Sequence, residues 1–362
     1  MSTDRFQLVG SLLRPANLLA YKNQIEVRDD IQYPFYDAFE GYQETETSEI
    51  KKIIARQLEA GITVITDGEY SRSMWHLDFV WGFEGIERFI ADNGYTFQDF
   101  DGGIYETRKD IGIRITKPLS GKNHHFITLF KQLKELAGDH PTKLTVWGAA
   151  HAFTELAIMN GIYGDDQVYH TQEELKEGLI KAYKEFLVEY KDQSFFASGK
   201  EGLEELADTF IGINNEIADY AHQLGLKVWT HNCRGNYESR HAAGGSYESI
   251  AEKFLRDQHY DRFFLEWDDD RAGDLTALAV LKDRPEVEVV LGLLSSKVAH
   301  LDDEARIYQL LEKASTILPK ERLYLSHQCG FASCDCGNEL SAEQQWEKVA
   351  QGQAIAKTFW ND

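Results

Sequence analysis

Short runs rich in β-branched and aromatic residues alternate along the chain with longer stretches whose apolar positions recur every three or four residues. The runs at 6–11, 62–69, 144–150, 227–233, 262–268, 287–294 and 322–329 read as inner strands. Between them, Ile50, Ile53, Ile54 and Leu58 share one face of a helix over 47–60 that stops at Gly61, and Leu175, Leu179, Ala182 and Phe186 form the stripe of another. A third stripe, Leu206, Phe210, Ile213, Ile217 and Leu224, ends at Gly225. Thr171 with Glu174 and Ser341 with Gln344 have the spacing of capping boxes at helix starts. Regular alternation predicts a parallel sheet with helices outside, an α/β fold of the (β/α)8 TIM-barrel type. No repeat or Pro/Gly-rich linker divides the chain, so residues 1–362 are expected to form a single barrel. The segment near 75–143 is long for a connection in such a fold and predicts an insertion that lids one face.

Polar residues crowd the C-terminal ends of the predicted strands: Ser11, Asp67, Glu69, His231, Cys233, Glu266 and Cys329. In a barrel those ends converge on the face that carries chemistry. His231 and Cys233, two apart in a strand, project to the same side and can reach one ion. Glu266 ends the next apolar run and Cys329 the last; two thiolates, an imidazole and a carboxylate suit Zn²⁺. A half-buried histidine beside a core cysteine fits the first pair as well, and Glu266 could instead pair with Arg271. Cys334 and Cys336 have no further His or Cys spaced to complete a site and read as free loop thiols.

Charge narrows the partners. Of the 362 residues, 38 are Lys or Arg and 60 are Asp or Glu, a formal charge of −22 that repels phosphate backbones and anionic lipid, so neither nucleic acid nor membrane is expected. The first residues lack a basic segment followed by an apolar one, and no apolar run approaches the roughly 20 residues that span a bilayer, which predicts a cytoplasmic protein. In a reducing compartment, cysteines serve metals or catalysis rather than disulfides.

The motifs VGSLLRP from 9, DGEYSR from 67, THNCRGNY from 230, LEWDDDRAGD from 265 and SHQCGFAS from 326 resemble the C-terminal catalytic barrel of the cobalamin-independent methionine synthases, in a short form, over nearly the whole chain. The resemblance implies zinc held by His231, Cys233, Glu266 and Cys329, and an S-methyltransferase that passes a methyl group to homocysteine to give methionine. It implies 5-methyltetrahydrofolate, often polyglutamylated, or a methyl-corrinoid as donor. Ser11 and Glu69 would hold the amino-acid end of homocysteine, Arg114 and Lys117 would touch the donor, and Lys297 stands where the family has a proton-donating histidine.

One element of the family pattern has no counterpart in the sequence. Between the helices at 171–190 and 202–225 the family has a strand ending in an acidic pair that grips the homocysteine ammonium, whereas residues 189–207 offer only Phe195 and Phe196 as strand core. Seven inner strands are therefore counted where eight are expected, and neither Asp192 nor Glu201 follows a strand. Two other readings stay open: a related zinc enzyme that alkylates another thiol, with a methyl donor or an epoxide, and a zinc-binding homologue without catalysis.

Overall fold

The computed structural model describes residues 5–98, 102–191, 195–199, 207–242 and 244–361. Eleven strands are described: β1 (Phe6–Gln7), β2 (Glu84–Phe89), β3 (Thr96–Gln98), β4 (Ile104–Glu106), β5 (Gly112–Ser120), β6 (Thr145–Trp147), β7 (Phe195–Gly199), β8 (Val228–Asn232), β9 (Arg262–Glu266), β10 (Glu288–Leu294) and β11 (Leu323–His327). Seven of them form one sheet in the order β1-β11-β10-β9-β8-β7-β6, every pair parallel. The helices are α1 (Ala16–Lys22), α2 (Tyr42–Glu59), α3 (Leu77–Trp81), α4 (His125–Ala137), α5 (Ala149–Phe153), α6 (Gln172–Tyr190), α7 (Ala207–Gln223), α8 (Glu304–Ile317) and α9 (Ala342–Trp360). The α/β fold with a parallel central sheet agrees with the alternation in the sequence, and no helix is long and apolar enough to cross a membrane.

The predicted helical stripes are buried where expected: Ile50, Ile53 and Ile54 in α2, and Leu175, Leu179, Ala182 and Phe186 in α6. Ser341 and Gln344 form both halves of a capping box, satisfying two otherwise orphaned donors at the start of α9. The Thr171 hydroxyl accepts from the Glu174 amide, but the Glu174 carboxylate takes the His170 amide, so that box is only half made.

Alternation along the strands separates two faces. Phe263, Leu265, Val289 and Leu291 join the large core cluster, while Phe264 and Val290 pack with Val9 in a second cluster flanked by Trp229 and Tyr324. Glu266 follows Phe264 by two residues and His231 lies opposite Phe264 in register, which puts both on the face of the second cluster.

The strand count differs from the sequence reading in two places. The strand read as missing is present: Phe195–Gly199 pairs with β6 on one side and β8 on the other, Ser198 opposite His231. Its residues after the two phenylalanines, Ala197, Ser198 and Gly199, have weak strand propensity, and the two flanking ladders supply what local sequence does not. No acid ends it at Gly199, and Asp192 and Glu201 lie outside the described residues.

Conversely, 62–69 is not a named strand. It makes a single bridge, Ile65 to Thr142, together with hydrogen bonds from Leu12 N to Gly68 O (3.0 Å) and from Thr66 Oγ1 to Gly10 O (2.9 Å), and so touches the chain on both sides of the open sheet. The reason is local: the buried Gln57 side chain takes both backbone groups of Thr66, at 3.0 Å for N–H and 2.8 Å for C=O, in place of a strand partner. Gly68 and Glu69 then turn the chain with φ of 67° and 60°.

The long connection at 75–143 contains α3, the antiparallel pairs β2–β5 and β3–β4, and α4. Gln98 of β3 bridges His241, beside the loop that follows β8.

Candidate metal and substrate site

Three strand ends deliver the chemistry. His231 lies near the end of β8 with Cys233 just past it, Glu266 ends β9, and Cys329 follows β11 by two residues. The ligand atoms of His231, Cys233 and Cys329 all lie within 4.8 Å of one another. Tetrahedral ligands on zinc sit roughly 3.3–3.8 Å apart, so small side-chain shifts close this set around one ion. Cys329 and His231 are buried, and neither ring nitrogen of His231 has a hydrogen-bond partner. An imidazole orphaned at both nitrogens costs free energy unless something binds it, and the two thiols are the soft donors that favour zinc. The residues therefore fit the metal.

The two thiols influence each other: the neighbouring Cys329 thiol, helped by the His231 imidazole, pulls the Cys233 pKa well below the ordinary thiol range, while the proximity of Cys233 and burial push that of Cys329 well above it. A lowered thiol pKa at Cys233 is in the direction that metal binding needs, since the thiolate is the ligand.

Glu266 stands beside the trio and is not one of the three clustered ligands. Its Oε2 accepts from the Arg234 amide at 2.7 Å, whereas Oε1 has no hydrogen bond and lies 3.6 Å from Arg271 and 3.8 Å from Lys297. Burial raises its carboxyl pKa, with Lys297 as the main opposing influence. The ion pair with Arg271 weighed from the sequence is therefore formed, through the oxygen that has no hydrogen bond. Lys297 is 2% exposed, its ammonium without a hydrogen bond.

His231, Cys233 and Cys329 open, with Ser11 and Glu69, into a cavity of about 1290 Å³. Glu69 is held by Thr145 Oγ1 at 2.5 Å and lies 3.7 Å from Arg72; its other oxygen is buried without a partner. Ser11 Oγ accepts from the Ala332 amide, and Gly330 is glycine because a Cβ there would stand 2.0 Å from that oxygen. Arg114 and Lys117 are not brought to this site. Both are exposed on β5, Arg114 over the Phe89 ring and Lys117 paired with Glu84 at 2.6 Å, and neither lines the cavity.

Residues not singled out from the sequence hold the loops. Arg14 donates to four backbone carbonyls, those of Glu69, Arg72, Ala332 and Cys334. Asn236, two residues past the motif Asn-Cys-Arg, donates to Gly330 O and Ser333 Oγ. The insertion contributes Trp75, His76 and Tyr95 to the cavity wall. The signal for Arg14 and Asn236 was their place inside VGSLLRP and THNCRGNY; a basic or amide residue next to a ligand motif is a candidate second layer.

Cys334 is buried at the cavity edge and Cys336 is exposed; both are free, and neither belongs to the clustered trio. Cys334→Ser and Cys336→Ser are each expected to keep zinc within about one tenth of wild type. Metal analysis of the two variants checks this, and a large loss in either would move the site to this pair.

No protein-family profile matches the chain. It is 34% identical over 337 residues to YxjH, an uncharacterized protein of Bacillus subtilis (strain 168), covering 89% of this chain and 87% of that one. YxjG of the same organism, also uncharacterized, is 31% identical over 344 residues with the same coverage. Among solved structures, a candidate vitamin-B12-independent methionine synthase from Listeria monocytogenes superposes with a TM-score of 0.70 at 27% identity over 98% of both chains. A B12-independent methionine synthase from Shewanella sp. W3-18-1, solved with selenomethionine, shares the fold with a TM-score of 0.72 at 18% identity, over 99% of this chain and 98% of that one. The order of strand-end motifs and these likenesses agree: the chain belongs to the cobalamin-independent methionine synthase family, in the short form that the Listeria protein represents.

Proposed function

We propose that this protein is a zinc-dependent S-methyltransferase that forms methionine from homocysteine, built as one (β/α)8 barrel over residues 1–362 in which 62–69 stands as the eighth stave. The observation that carries the reading is the convergence of His231, Cys233 and Cys329 on the cavity that also exposes Ser11 and Glu69. His231, Cys233 and Cys329 would hold the ion, with Glu266 Oε1 as the oxygen donor nearest to hand. Zinc, when bound, lowers the pKa of a coordinated thiol so that it is a thiolate near pH 7.

The chain's own groups do the rest. The unpartnered Glu69 oxygen would accept from the homocysteine ammonium, and Thr145 and Arg72 hold that carboxylate in position. Ser11 shapes the floor against Gly330, which lets substrate approach the Cys329 loop. Lys297 stays behind Glu266 and offers positive charge to it; it is not among the cavity-lining residues.

The test is homocysteine added to the zinc-loaded protein. It is expected to release about one proton per site near neutral pH and to bind more tightly as pH rises toward the free-thiol pKa of about 8.5. X-ray absorption at the zinc edge should show one more sulfur. No proton release with an unchanged sulfur count would leave a structural metal and remove the methyltransferase reading.

A further inference from the structure

The cavity walls do not suit a polyanionic methyl donor. Among the described residues that line it, the Lys and Arg side chains are Arg234, which is committed to backbone carbonyls, and Lys253, which lies in an exposed ion pair at the rim. Arg234 donates twice to Gly245 O and once to Glu266 O, stacked over Tyr247, and Lys253 pairs with Asp208 at 2.8 Å. The described carboxylates on the wall are Glu69, Glu155, Glu248 and Glu252. A folate with several glutamates would bring anions to a net acidic cavity on a protein of charge −22.

The wall facing this acidity is aromatic. Trp75 stacks on His76 with centroids 4.8 Å apart, and Tyr95 lies 5.8 Å from His76. The Tyr95 hydroxyl donates to Glu155 at 2.8 Å, and Glu155 is 5% exposed. Aromatic faces beside a carboxylate attract a cation whose charge is spread over methyl groups.

Leaving-group chemistry points the same way. A methyl on a neutral tertiary amine departs only if the nitrogen is protonated, whereas a methyl on a sulfonium departs to leave a neutral thioether. The residue in the proton-donor position, Lys297, does not line the cavity, and burial holds His76 neutral, well below the usual imidazole range.

We propose that the methyl donor is a compact cation, a methylsulfonium, seated against the Trp75–Tyr95 wall beside the Glu155 carboxylate that Tyr95 holds; this rests on the homocysteine reading above. The homocysteine thiolate supplies the electron pair of the new S–CH₃ bond. The old S–CH₃ bond breaks with its pair on the donor sulfur. Thiolate and sulfonium become two neutral thioethers, the thiol proton having already passed to solvent.

The test uses the zinc-loaded full chain with homocysteine and, in separate arms, S-methylmethionine, trimethylsulfonium, glycine betaine, triglutamyl 5-methyltetrahydrofolate and methylcobalamin, each with a deuterated methyl group. Labelled methionine is expected from the sulfonium arms at least about tenfold faster than from the others, and Trp75→Ala and Glu155→Gln should each raise the donor KM about tenfold with zinc content unchanged. Trimethylsulfonium titrated into metal-free protein should quench tryptophan fluorescence saturably, and less so in Trp75→Ala. Turnover with folate, corrinoid or betaine and none with a sulfonium overturns the proposal, as does the absence of quenching. If homocysteine releases no proton and no donor yields methionine, the methyltransferase reading itself has failed and the donor assignment falls with it.

Discussion

Cys329→Ser is expected to lower bound zinc from about one per chain to less than about one tenth, with the fold intact. The thiol is buried against Cys233, and its own hydrogen-bonding contact is with Ser333 Oγ at 3.7 Å, so a serine fits the space without breaking a strong bond. What it removes is a soft anionic donor, since a serine hydroxyl stays protonated at neutral pH where a coordinated thiol does not. Cys233→Ser and His231→Ala should do the same, because each removes one of the three clustered ligands. Glu266→Gln is expected to be milder, about 10–100-fold in affinity, since the isosteric amide can still turn its one oxygen to the site at the expense of the Arg234 N–H bond. Elemental analysis of dialysed protein with far-ultraviolet circular dichroism reads both quantities. Cys329→Ser that retains its zinc would disprove the ligand assignment.

The clustering of His231 and Cys233 was legible because strand alternation is rigid: residues two apart at a strand end must point the same way, and these two do. Cys329 was legible for the opposite reason, as a thiol in the first turn after a clear apolar run. Strand β7 was not, because Phe195–Gly199 is a strand through its two neighbours rather than through its own residues. The run at 62–69 misled in reverse. Its isoleucines and valine read as a strand, but Gln57, distant from the run's periodicity, takes the Thr66 backbone pair that a ladder would need. Arg114 and Lys117 were assigned by likeness of sequence alone, and nothing in the chain pattern said that β5 would turn them outward to Phe89 and Glu84. Side-chain to backbone bonds across the fold, such as those of Arg14 over more than 300 residues, have no sequence periodicity to betray them.

Arg14→Met is expected to destabilise the protein by about 3–5 kcal/mol and to weaken the site more than the distance from the metal would suggest. The Arg14 guanidinium is buried and donates to Glu69 O at 2.8 Å, Arg72 O at 3.1 Å, Ala332 O at 2.9 Å and Cys334 O at 2.9 Å. Two of these carbonyls belong to the loop that carries Glu69, the carboxylate proposed to hold the substrate, and two to the loop that begins at Cys329. One planar cation with five fixed donors therefore clamps the substrate side of the site to the metal side, which a lysine, with three donors on one atom, cannot reproduce. Methionine fills similar volume but leaves the Arg72 and Ala332 carbonyls without their donor, while Glu69 O keeps the Arg72 amide and Cys334 O the Gly337 amide; each orphan costs about 1–3 kcal/mol, and losing the charge-assisted bonds to the other two adds to it. Relaxation of the loops is the functional cost, since Glu69 sits at φ 60° and loses the shorter of the two bonds to its carbonyl. Urea unfolding should show a lower midpoint at unchanged slope, and Arg14→Lys should recover only a fraction of the loss. Homocysteine affinity is expected to fall further than zinc affinity, because Cys329 keeps its place after β11 while Glu69 depends on a left-handed turn. A midpoint shift worth less than about 1 kcal/mol, or equal losses of zinc and homocysteine, would mean that the two loops are held independently of Arg14.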